Sequence, residues 1–268
     1  MTTATQATPA AAAAQPLPAT PSFRVDGQRA LVTGASRGIG FAAAAALAQA
    51  GAEVTLAARS DAELQAACAR IRSAGGACHA LVLDVTDSSA VTQQLSARGP
   101  FHILVNNAGM NRPKPLVELA DEDIDAVLNL NVKAAFHVTR VVAQGLLAAG
   151  VPGSIIHVSS QMGHVGSPRR SLYCASKHAL EGMSKALAWE LGPAGIRVNT
   201  VCPTFIETEM TATMFEDPAF REWVVGKIAL GRLGRTEEIM GAIVFLASSA
   251  ASLVTGSALM LDGGWTAA

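Results

Sequence analysis

Three polar side chains that could do acid–base chemistry stand close together in the middle of the chain. Ser160 follows an apolar run over residues 154–159, which is typical of a buried strand. Tyr173 and Lys177 stand four residues apart at the start of a segment typical of a helix, so they share one helical face. If the strand end faces the helix start, a hydroxyl, a phenol and an ammonium group converge at one point.

Such a trio could move a proton to or from an oxygen atom of a small molecule. An isolated phenol has a pKa of about 10, and a lysine one helical turn away lowers that pKa by favouring the phenolate. Tyr173 could then exchange a proton with a carbonyl or alcohol oxygen while Ser160 hydrogen-bonds the same oxygen. The residues alone leave an alternative open, which is an ordinary helix with a buried tyrosine and a solvated lysine.

A glycine-rich turn near the amino terminus indicates a nucleotide site. Thr33 ends a predicted strand over 28–33, and Gly34, Gly38 and Gly40 follow it where an alanine-rich helix opens. Glycines at these positions let a diphosphate approach the free N–H groups and the positive dipole end of the helix. Plain strand-to-helix turns also use glycine, so the position directly after the first strand is what favours a dinucleotide.

Basic residues beside this turn favour NADP(H) over NAD(H). NAD-binding proteins commonly place an acid at the end of the second strand, where it meets the ribose hydroxyls. Here that position is Ala58, followed by Arg59, and Arg37 lies inside the glycine turn. Two guanidinium groups suit a 2′-phosphate. The alternative is that both arginines are solvated surface residues.

The order of apolar and amphipathic segments predicts the fold. About seven strand-like runs alternate with helical segments, which predicts a parallel sheet covered on both faces. The fold class is therefore α/β, as a single-domain, Rossmann-type doubly wound sheet, and ligands bind such sheets beyond the carboxyl ends of the strands. Six residues fall at or next to predicted strand ends: Thr33, Ala58, Asp84, Asn106, Ser160 and Pro203. Ordinary strand-end roles are an open alternative for Asp84 and Asn106.

The chain divides into a tail and one domain. Residues 1–22 are rich in Ala, Thr, Pro and Gln and carry no charge, which predicts a disordered amino-terminal tail. Residues 23–268 are predicted to form the dinucleotide-binding catalytic domain. An extended insertion at about 203–235 is predicted to carry the substrate loop and to order when cofactor and substrate bind.

Composition excludes several classes of partner. The net charge is −1 and charged residues make up 15% of the chain, so no nucleic-acid partner is predicted. No apolar run approaches the roughly 18 residues of a membrane span. The four cysteines are scattered without metal-ligand spacing, so we predict no metal site and a reducing, cytoplasmic location.

Taken together, the motifs resemble those of the short-chain dehydrogenase/reductase superfamily. They are Thr-Gly-x-x-x-Gly-x-Gly at 33–40, Asp84, Asn-Asn-Ala-Gly at 106–109, Asn131, Ser160 and Tyr-x-x-x-Lys at 173–177. The resemblance spans about residues 27–265. It implies a seven-stranded Rossmann fold and hydride transfer between a nicotinamide and a carbonyl or alcohol. It also implies a homotetramer, with a dimer as the alternative.

The resemblance assigns a catalytic tetrad by position. Its members are Asn131, Ser160, Tyr173 and Lys177. The family's spacing before the tyrosine selects Ser160 over Ser159. The aromatic residue that the family places five positions after its asparagine is Phe136 here, which selects Asn131 over Asn129.

The resemblance and the motifs also give the cofactor and substrate contacts. Contacts to NADP(H) are predicted for Gly34, Ser36, Arg37, Gly38, Ile39, Gly40, Arg59, Asp84, Val85, Asn106, Ala108, Gly109, Tyr173, Lys177, Pro203, Thr204, Ile206 and Thr208. Contacts to substrate are predicted for Ser160, Met162, His164 and Tyr173. The chain departs from the family after the sixth strand, where Pro203 and Thr204 stand in place of the usual Pro-Gly.

The functional hypothesis is an NADP(H)-dependent oxidoreductase acting on a carbonyl or secondary alcohol of a small molecule of ketone, sugar or polyol type. A 3-oxoacyl-[acyl-carrier-protein] reductase is the alternative within the same class. A non-catalytic NADP(H)-binding sensor or scaffold is the alternative from another class. Arg169 and Arg170 could meet an anionic substrate or an acyl carrier, although a solvated loop is the plainer interpretation.

Overall fold

The computed structural model describes residues 17–267, apart from the side chain of Met210. Residues 1–16 of the predicted tail, and Ala268 at the end of the predicted domain, lie outside the described residues. Residues 17–22 have no regular secondary structure. Within the described range, no helix is both long enough and apolar enough to cross a membrane.

The amino-terminal half contributes four strands, which alternate with helices. Its elements are β1 (Arg29–Thr33), α1 (Gly38–Gln49), β2 (Glu53–Ala58), α2 (Asp61–Ser73), β3 (Ala77–Val82), α3 (Ser88–Ser96), β4 (Ile103–Asn106), α4 (Asp121–Leu128), a π-helical turn (Asn129–Lys133) and α5 (Ala134–Ala149). The π-helical turn thus separates two α-helices over residues 121–149.

The carboxyl-terminal half contributes the other three strands. Its elements are β5 (Gly153–Val158), α6 (Ser171–Leu191), β6 (Ile196–Pro203), α7 (Glu209–Ala212), α8 (Pro218–Gly226), α9 (Glu237–Ala247) and β7 (Ala258–Leu261). Helix α6 begins at Ser171, so Tyr173 lies in its first turn and Lys177 follows one turn later.

All seven strands form one parallel sheet in the order β3-β2-β1-β4-β5-β6-β7. Helices α1, α2 and α9 cover one face, and α3, α5 and α6 cover the other, which explains why the strands are almost continuously apolar. The strand order reverses between β1 and β4, and ligands bind at such a switch point. The predicted Rossmann-type fold is confirmed.

The insertion after β6 packs around its own apolar centre. Ile206 pairs with Gly234 in an isolated parallel bridge that closes the base of the insertion. Above the base, the rings of Phe205 and Phe215 lie 5.8 Å apart, and Phe205 also meets Trp265 from the end of the chain at 6.0 Å. The predicted substrate loop is thus held at both ends, and its position over a pocket stays a prediction.

Candidate active site

The carboxyl ends of β1 and β4 are joined by hydrogen bonds beside the switch point. The Thr33 hydroxyl oxygen accepts from the backbone N–H groups of Asn107 and Ala108, at 3.0 and 3.1 Å. In return, the Asn107 amide nitrogen donates to the carbonyls of Thr33 and Gly34, both at 3.0 Å. Asn107, the second residue of the Asn-Asn-Ala-Gly motif, therefore fixes the glycine turn against β4.

The glycine turn has a shape that only glycine allows at two positions. Gly34 has a φ of +62°, in the left-handed region. A Cβ atom on Gly40 would lie 2.3 Å from the Gly34 carbonyl oxygen, which is far inside contact distance. The turn therefore brings bare backbone to the start of α1.

The amino terminus of α1 is open to an anion. Arg37 occupies its cap position without a side-chain hydrogen bond, and the first turn contains no acid. In contrast, α2 is capped by the Ser60 hydroxyl and has Asp61 and Glu63 in its first turn. The free N–H groups and the helix dipole of α1, which begins with Gly38, fit a diphosphate.

Two basic side chains stand beside this turn. The Arg37 side chain is 63% exposed, and its ion pair with Glu63 is long, at 3.8 Å. The Ser36 hydroxyl donates to Glu63 at 2.8 Å. Arg59 is exposed directly after Ala58 ends β2. Neither guanidinium is buried or tightly paired, so both can turn towards a phosphate.

Asp84 stands beyond the end of β3 and is held as a carboxylate. Its Oδ1 accepts from the backbone N–H of Thr86 at 2.9 Å and from the Thr86 hydroxyl at 2.7 Å. These hydrogen bonds lower the pKa of Asp84, with a smaller contribution from the charge of Arg59. Val85 is buried beside it. These contacts use one carboxylate oxygen of Asp84, and its predicted contact with the cofactor stays a prediction.

The side chain of Asn106 is committed to the protein interior. Its amide nitrogen donates to the Thr139 hydroxyl at 2.8 Å and to the Ala135 carbonyl at 3.4 Å, which ties β4 to α5. The same nitrogen lies 3.3 Å from Nδ1 of His157. The Asn106 side chain is therefore engaged within the protein, and the predicted cofactor contact of this residue stays a prediction for its backbone alone.

The segment after β6 returns to the glycine turn. A Cβ atom on Gly38 would lie 3.7 Å from the Thr208 methyl group, so the two segments are adjacent. The carbonyl of Pro203 accepts a long hydrogen bond from Ser160, at 3.4 Å. Although Thr204 replaces the family's usual glycine, β6 continues unbroken through Pro203.

Ser160 and Tyr173 meet at the end of β5. Burial raises the pKa of Tyr173 to about 12, while Ser160 and the charge of Arg170 act in the opposite direction. The expectation that Lys177 holds this pKa below 10 is therefore wrong for the protein alone. The Ser160 hydroxyl accepts from the backbone N–H of Met162 at 3.1 Å and donates to Oε1 of Gln161 at 2.7 Å. Gln161, which sequence reasoning missed, thus helps to orient the serine.

Lys177 lies behind the tyrosine and is fully enclosed. Its Nζ donates to the Val158 carbonyl at 2.8 Å and stands 5.5 Å from the centroid of the Tyr173 ring. Burial lowers the pKa of Lys177 to about 8, against the influence of Cys202 and Glu181. Since burial raises the pKa of the Cys202 thiol to about 12, that thiol is neutral near pH 7 and Glu181 supplies the negative charge.

Asn131 occupies the middle of the π-helical turn. Its Oδ1 accepts from the Met110 N–H at 2.8 Å, and its Nδ2 donates to the Met110 carbonyl at 2.9 Å and to the Ser176 hydroxyl at 3.0 Å. A Cβ on Gly109 would stand 3.3 Å from the same Oδ1. The side chain therefore braces the loop after β4 against α6, next to Lys177, and π-helical turns often mark functional sites.

A polar network surrounds the carboxylate of Glu181, one turn beyond Lys177. The Thr200 hydroxyl donates to it at 3.0 Å and the Cys202 thiol at 3.4 Å, and Nε2 of His164 lies 3.5 Å away. Hydrogen bonds account for this grouping, and the absence of a metal stays a prediction. The His164 ring contacts Glu181 and Cys202, so its predicted role in the substrate pocket also stays a prediction.

Replacing Glu181 with Gln is expected to shift the pH profile of turnover. Without the carboxylate, the pKa of Lys177 falls below its present value of about 8, so the lysine loses its proton at lower pH. The alkaline limb of kcat/KM for ketone reduction should move to lower pH, with little change well below that limb. Glu190→Gln, an exposed change on the same helix, is the control. An unshifted alkaline limb would contradict this role.

The fold and this constellation define a class of dinucleotide-dependent oxidoreductase. A model of the family described as Enoyl-(Acyl carrier protein) reductase matches residues 34–266. That span covers most of the chain, including the glycine turn, the tetrad and β7. The chain belongs to the short-chain dehydrogenase/reductase superfamily.

Characterised relatives cover nearly the whole domain. D-erythrulose reductase of Gallus gallus is 40% identical over 244 residues, which is 91% of this chain and 97% of the relative. Gluconate 5-dehydrogenase of Gluconobacter oxydans (strain 621H) is 40% identical over 248 residues, or 91% and 96%. A crystal structure of gluconate 5-dehydrogenase from Burkholderia cenocepacia J2315, in complex with NADP and tartrate, has a TM-score of 0.88 at 36% identity and covers 92% of this chain and 98% of its own.

Proposed function

We propose that this protein is an NADP(H)-dependent oxidoreductase that interconverts a carbonyl and a secondary alcohol on a small polyhydroxylated substrate. One observation carries the proposal: Tyr173 lies close enough to Ser160 for the serine to influence the pKa of the phenol, and it stands one helical turn from Lys177, at the same sheet edge as an open glycine turn. The names of the relatives support the substrate type, since they refer to erythrulose, a neutral ketose, and to gluconate, a sugar acid.

Residues at the carboxyl ends of β1 to β4 hold the cofactor in this proposal. The open start of α1, from Gly38 onward, binds the diphosphate, and Arg37 and Arg59 bind the 2′-phosphate. Asp84 meets the adenine, and Lys177 holds the nicotinamide ribose. NADP(H), when bound, supplies or accepts the hydride. The NADP named in the related crystal structure supports this choice of dinucleotide.

Tyr173 and Ser160 act on the substrate oxygen. In the reducing direction Tyr173 donates its phenolic proton to the carbonyl oxygen, and in the oxidising direction its phenolate takes the alcohol proton. Ser160 donates a hydrogen bond to the same oxygen and stabilises the negative charge that develops there. To do so, the Ser160 hydroxyl must break its hydrogen bond to Gln161 and point its proton at the substrate oxygen.

Lys177 and Asn131 support the proton transfer. The ammonium of Lys177 lies close to the Tyr173 ring, where its positive charge favours the phenolate. Asn131 holds the loop after β4 against Ser176 and so keeps the first turns of α6 in place. The negative charge of Glu181 keeps Lys177 protonated at a pH where burial alone would favour the neutral amine.

Turnover of a substrate panel tests the proposal. Purified protein with NADPH should reduce an activated diketone, a neutral ketose and an oxo-aldonate, and each should be compared with an acetoacetyl thioester. A preference for the thioester would favour the predicted alternative of an acyl-carrier-protein reductase. NADPH binding without any turnover on the panel would favour the non-catalytic sensor or scaffold and contradict an enzyme.

A homotetramer is the assembly we propose, with a homodimer as the alternative. Helices α5 and α6 expose large apolar side chains, among them Phe136, Leu147 and Trp189, the last of which is 88% exposed. Packing between copies would remove this surface from water. Light scattering coupled to size-exclusion chromatography measures the assembly directly, and a monomer would contradict it.

The cytoplasm is the compartment that we propose. All four cysteines are buried free thiols, which suits a reducing environment.

A further inference from the structure

The Arg170 side chain is largely enclosed, and no described residue pairs with its charge. Only 8% of its surface is exposed. Among the described residues, its guanidinium makes no hydrogen bond or ion pair, and burial lowers its pKa. Its neighbour Arg169 is exposed, in a left-handed backbone conformation with a φ of 61°. The plainer interpretation of a solvated loop therefore holds for Arg169 and is wrong for Arg170.

The position of Arg170 directs it to the reacting centre. It is the cap residue directly before α6, so it lies at the end of the helix that carries Tyr173 in its first turn. The guanidinium lies close enough to the Tyr173 phenol for each group to influence the pKa of the other. Arg170 thus lies at the same end of α6 as the Tyr173 phenol.

No buried acid of the described residues is left to neutralise Arg170. Each of the three buried carboxylates is already engaged: Asp123 with Arg112 and Lys114, Glu181 with Thr200 and Cys202, and Asp262 with Thr266 and the backbone of Gly264. A largely enclosed guanidinium that no described residue pairs with is well placed to take the opposite charge from a ligand. The site next to Tyr173 therefore favours an anionic ligand.

We propose that Arg170 binds the carboxylate of the substrate, and that the substrate is an oxo-aldonate, a sugar acid, rather than a neutral ketose. This inference rests on the proposed function and selects between its two substrate types. A carboxylate matches the planar fork of a guanidinium with two parallel hydrogen bonds. A neutral ketose offers only hydroxyl groups at the same place and leaves the arginine charge unpaired.

A matched pair of sugars tests this directly. L-sorbose has the carbon skeleton and carbonyl of 5-oxo-D-gluconate but carries a CH2OH group in place of the carboxylate. The wild-type protein with NADPH should reduce 5-oxo-D-gluconate with a kcat/KM about 100-fold or more above that for L-sorbose, because a charge-assisted bidentate contact is lost with the neutral sugar. Arg170→Met should lower that ratio about 50-fold or more, chiefly by raising KM for the oxo-aldonate.

Arg169→Met is the matched control, since it removes an adjacent, exposed guanidinium, and it should leave the ratio unchanged. Arg170→Lys should fall between wild type and Arg170→Met, because an ammonium keeps the charge without the fork. If Arg170→Met does not fold, the ratio of kcat/KM for 5-oxo-D-gluconate to that for L-sorbose in Arg170→Lys still tests the role of Arg170.

The outcomes distinguish a failure of the substrate inference from a failure of the proposed function. Equal turnover of the two sugars, a preference for L-sorbose or an acetoacetyl thioester, or equal effects of the two methionine variants would overturn the role of Arg170. Reduction of a diketone without either sugar would overturn it as well. In each of these cases the oxidoreductase activity stands. Failure to reduce any ketone would instead overturn the proposed function, and the substrate inference with it.

Discussion

Replacing Tyr173 with Phe is expected to lower kcat for ketone reduction about 10²- to 10⁴-fold, the usual contribution of a positioned general acid. Phe keeps the ring that packs 5.5 Å from the Lys177 Nζ and removes only the phenolic hydroxyl. The fold and the cofactor site should therefore survive. The expected loss is in kcat, because the missing proton transfer belongs to the chemical step.

Three measurements show whether the Tyr173→Phe variant loses only the proton transfer. Thermal unfolding should match wild type, NADPH binding by fluorescence should change little, and single-turnover reduction should be slow. Ser160→Ala is the companion variant, with a loss of about 10²- to 10³-fold, since it removes a hydrogen bond to the developing oxyanion and leaves the acid in place. Turnover by Tyr173→Phe within a few-fold of wild type would remove the tyrosine from the mechanism.

The titration of Tyr173 can be observed directly, because it is the only tyrosine in the chain. Burial holds its pKa at about 12 in the protein alone, so the near-ultraviolet absorbance of phenolate should be absent at mildly alkaline pH. Adding NADP⁺ brings a positive nicotinamide close to the phenol and should lower its pKa, so the phenolate band should grow at constant pH. NADPH, whose ring is neutral, is the control and should produce a smaller change.

The architecture could be predicted because it depends on features that lie close together in sequence. Alternation of apolar strand runs with amphipathic helices requires parallel pairing, and right-handed crossovers restrict the strand order to very few arrangements. The site residues at strand ends then fall at one sheet edge without knowledge of any contact. Tyr173 and Lys177 needed only helical spacing, and the helix that carries them begins at Ser171.

The π-helical turn at Asn131 could not be predicted in this way. The local sequence over 121–147 suits a continuous α-helix, and the extra residue in the turn places Asn131 against Met110 and Ser176. Those partners come from a loop and a helix that are distant in sequence. The preference for the π conformation is therefore tertiary, and helical periodicity carries no sign of it.

Adjacent residues of the same type also have roles that the sequence alone cannot tell apart. Asn106 and Asn107 are chemically identical, yet one side chain anchors α5 and the other holds the glycine turn. Arg169 and Arg170 differ in the same way, with one in solvent and one enclosed beside Tyr173. Burial depends on where the loop meets the rest of the fold, so composition and spacing cannot separate such pairs.

Replacing both Arg37 and Arg59 with Ala is expected to raise KM for NADPH about 100-fold and to change KM for NADH by no more than a few-fold. Each guanidinium would make a charge-assisted hydrogen bond to the 2′-phosphate, worth about 1.5–3 kcal/mol, and a tenfold change in affinity corresponds to about 1.4 kcal/mol. NADH lacks that phosphate. The single variants should each give roughly a tenfold rise with NADPH.

The control must remove a surface charge without touching the cofactor. Arg98→Ala serves this purpose, because Arg98 is exposed in the segment between α3 and β4, at the opposite edge of the sheet. It should leave KM unchanged for both dinucleotides. Equal KM values for NADPH and NADH in the wild-type protein would contradict the choice of NADP(H) before any variant is made.

Salt provides an independent measure of the same contacts. Arg37 is 63% exposed and held only by a long ion pair with Glu63, so its attraction to a phosphate is screened by added ions. KM for NADPH should therefore rise with ionic strength in the wild-type protein and much less in the double variant, while KM for NADH stays nearly constant in both. The difference in salt dependence between NADPH and NADH isolates the contribution of the 2′-phosphate. Both cofactors place the same diphosphate at the same helix terminus. A salt dependence that is the same for NADPH and NADH would place the charge recognition at the diphosphate and away from Arg37 and Arg59.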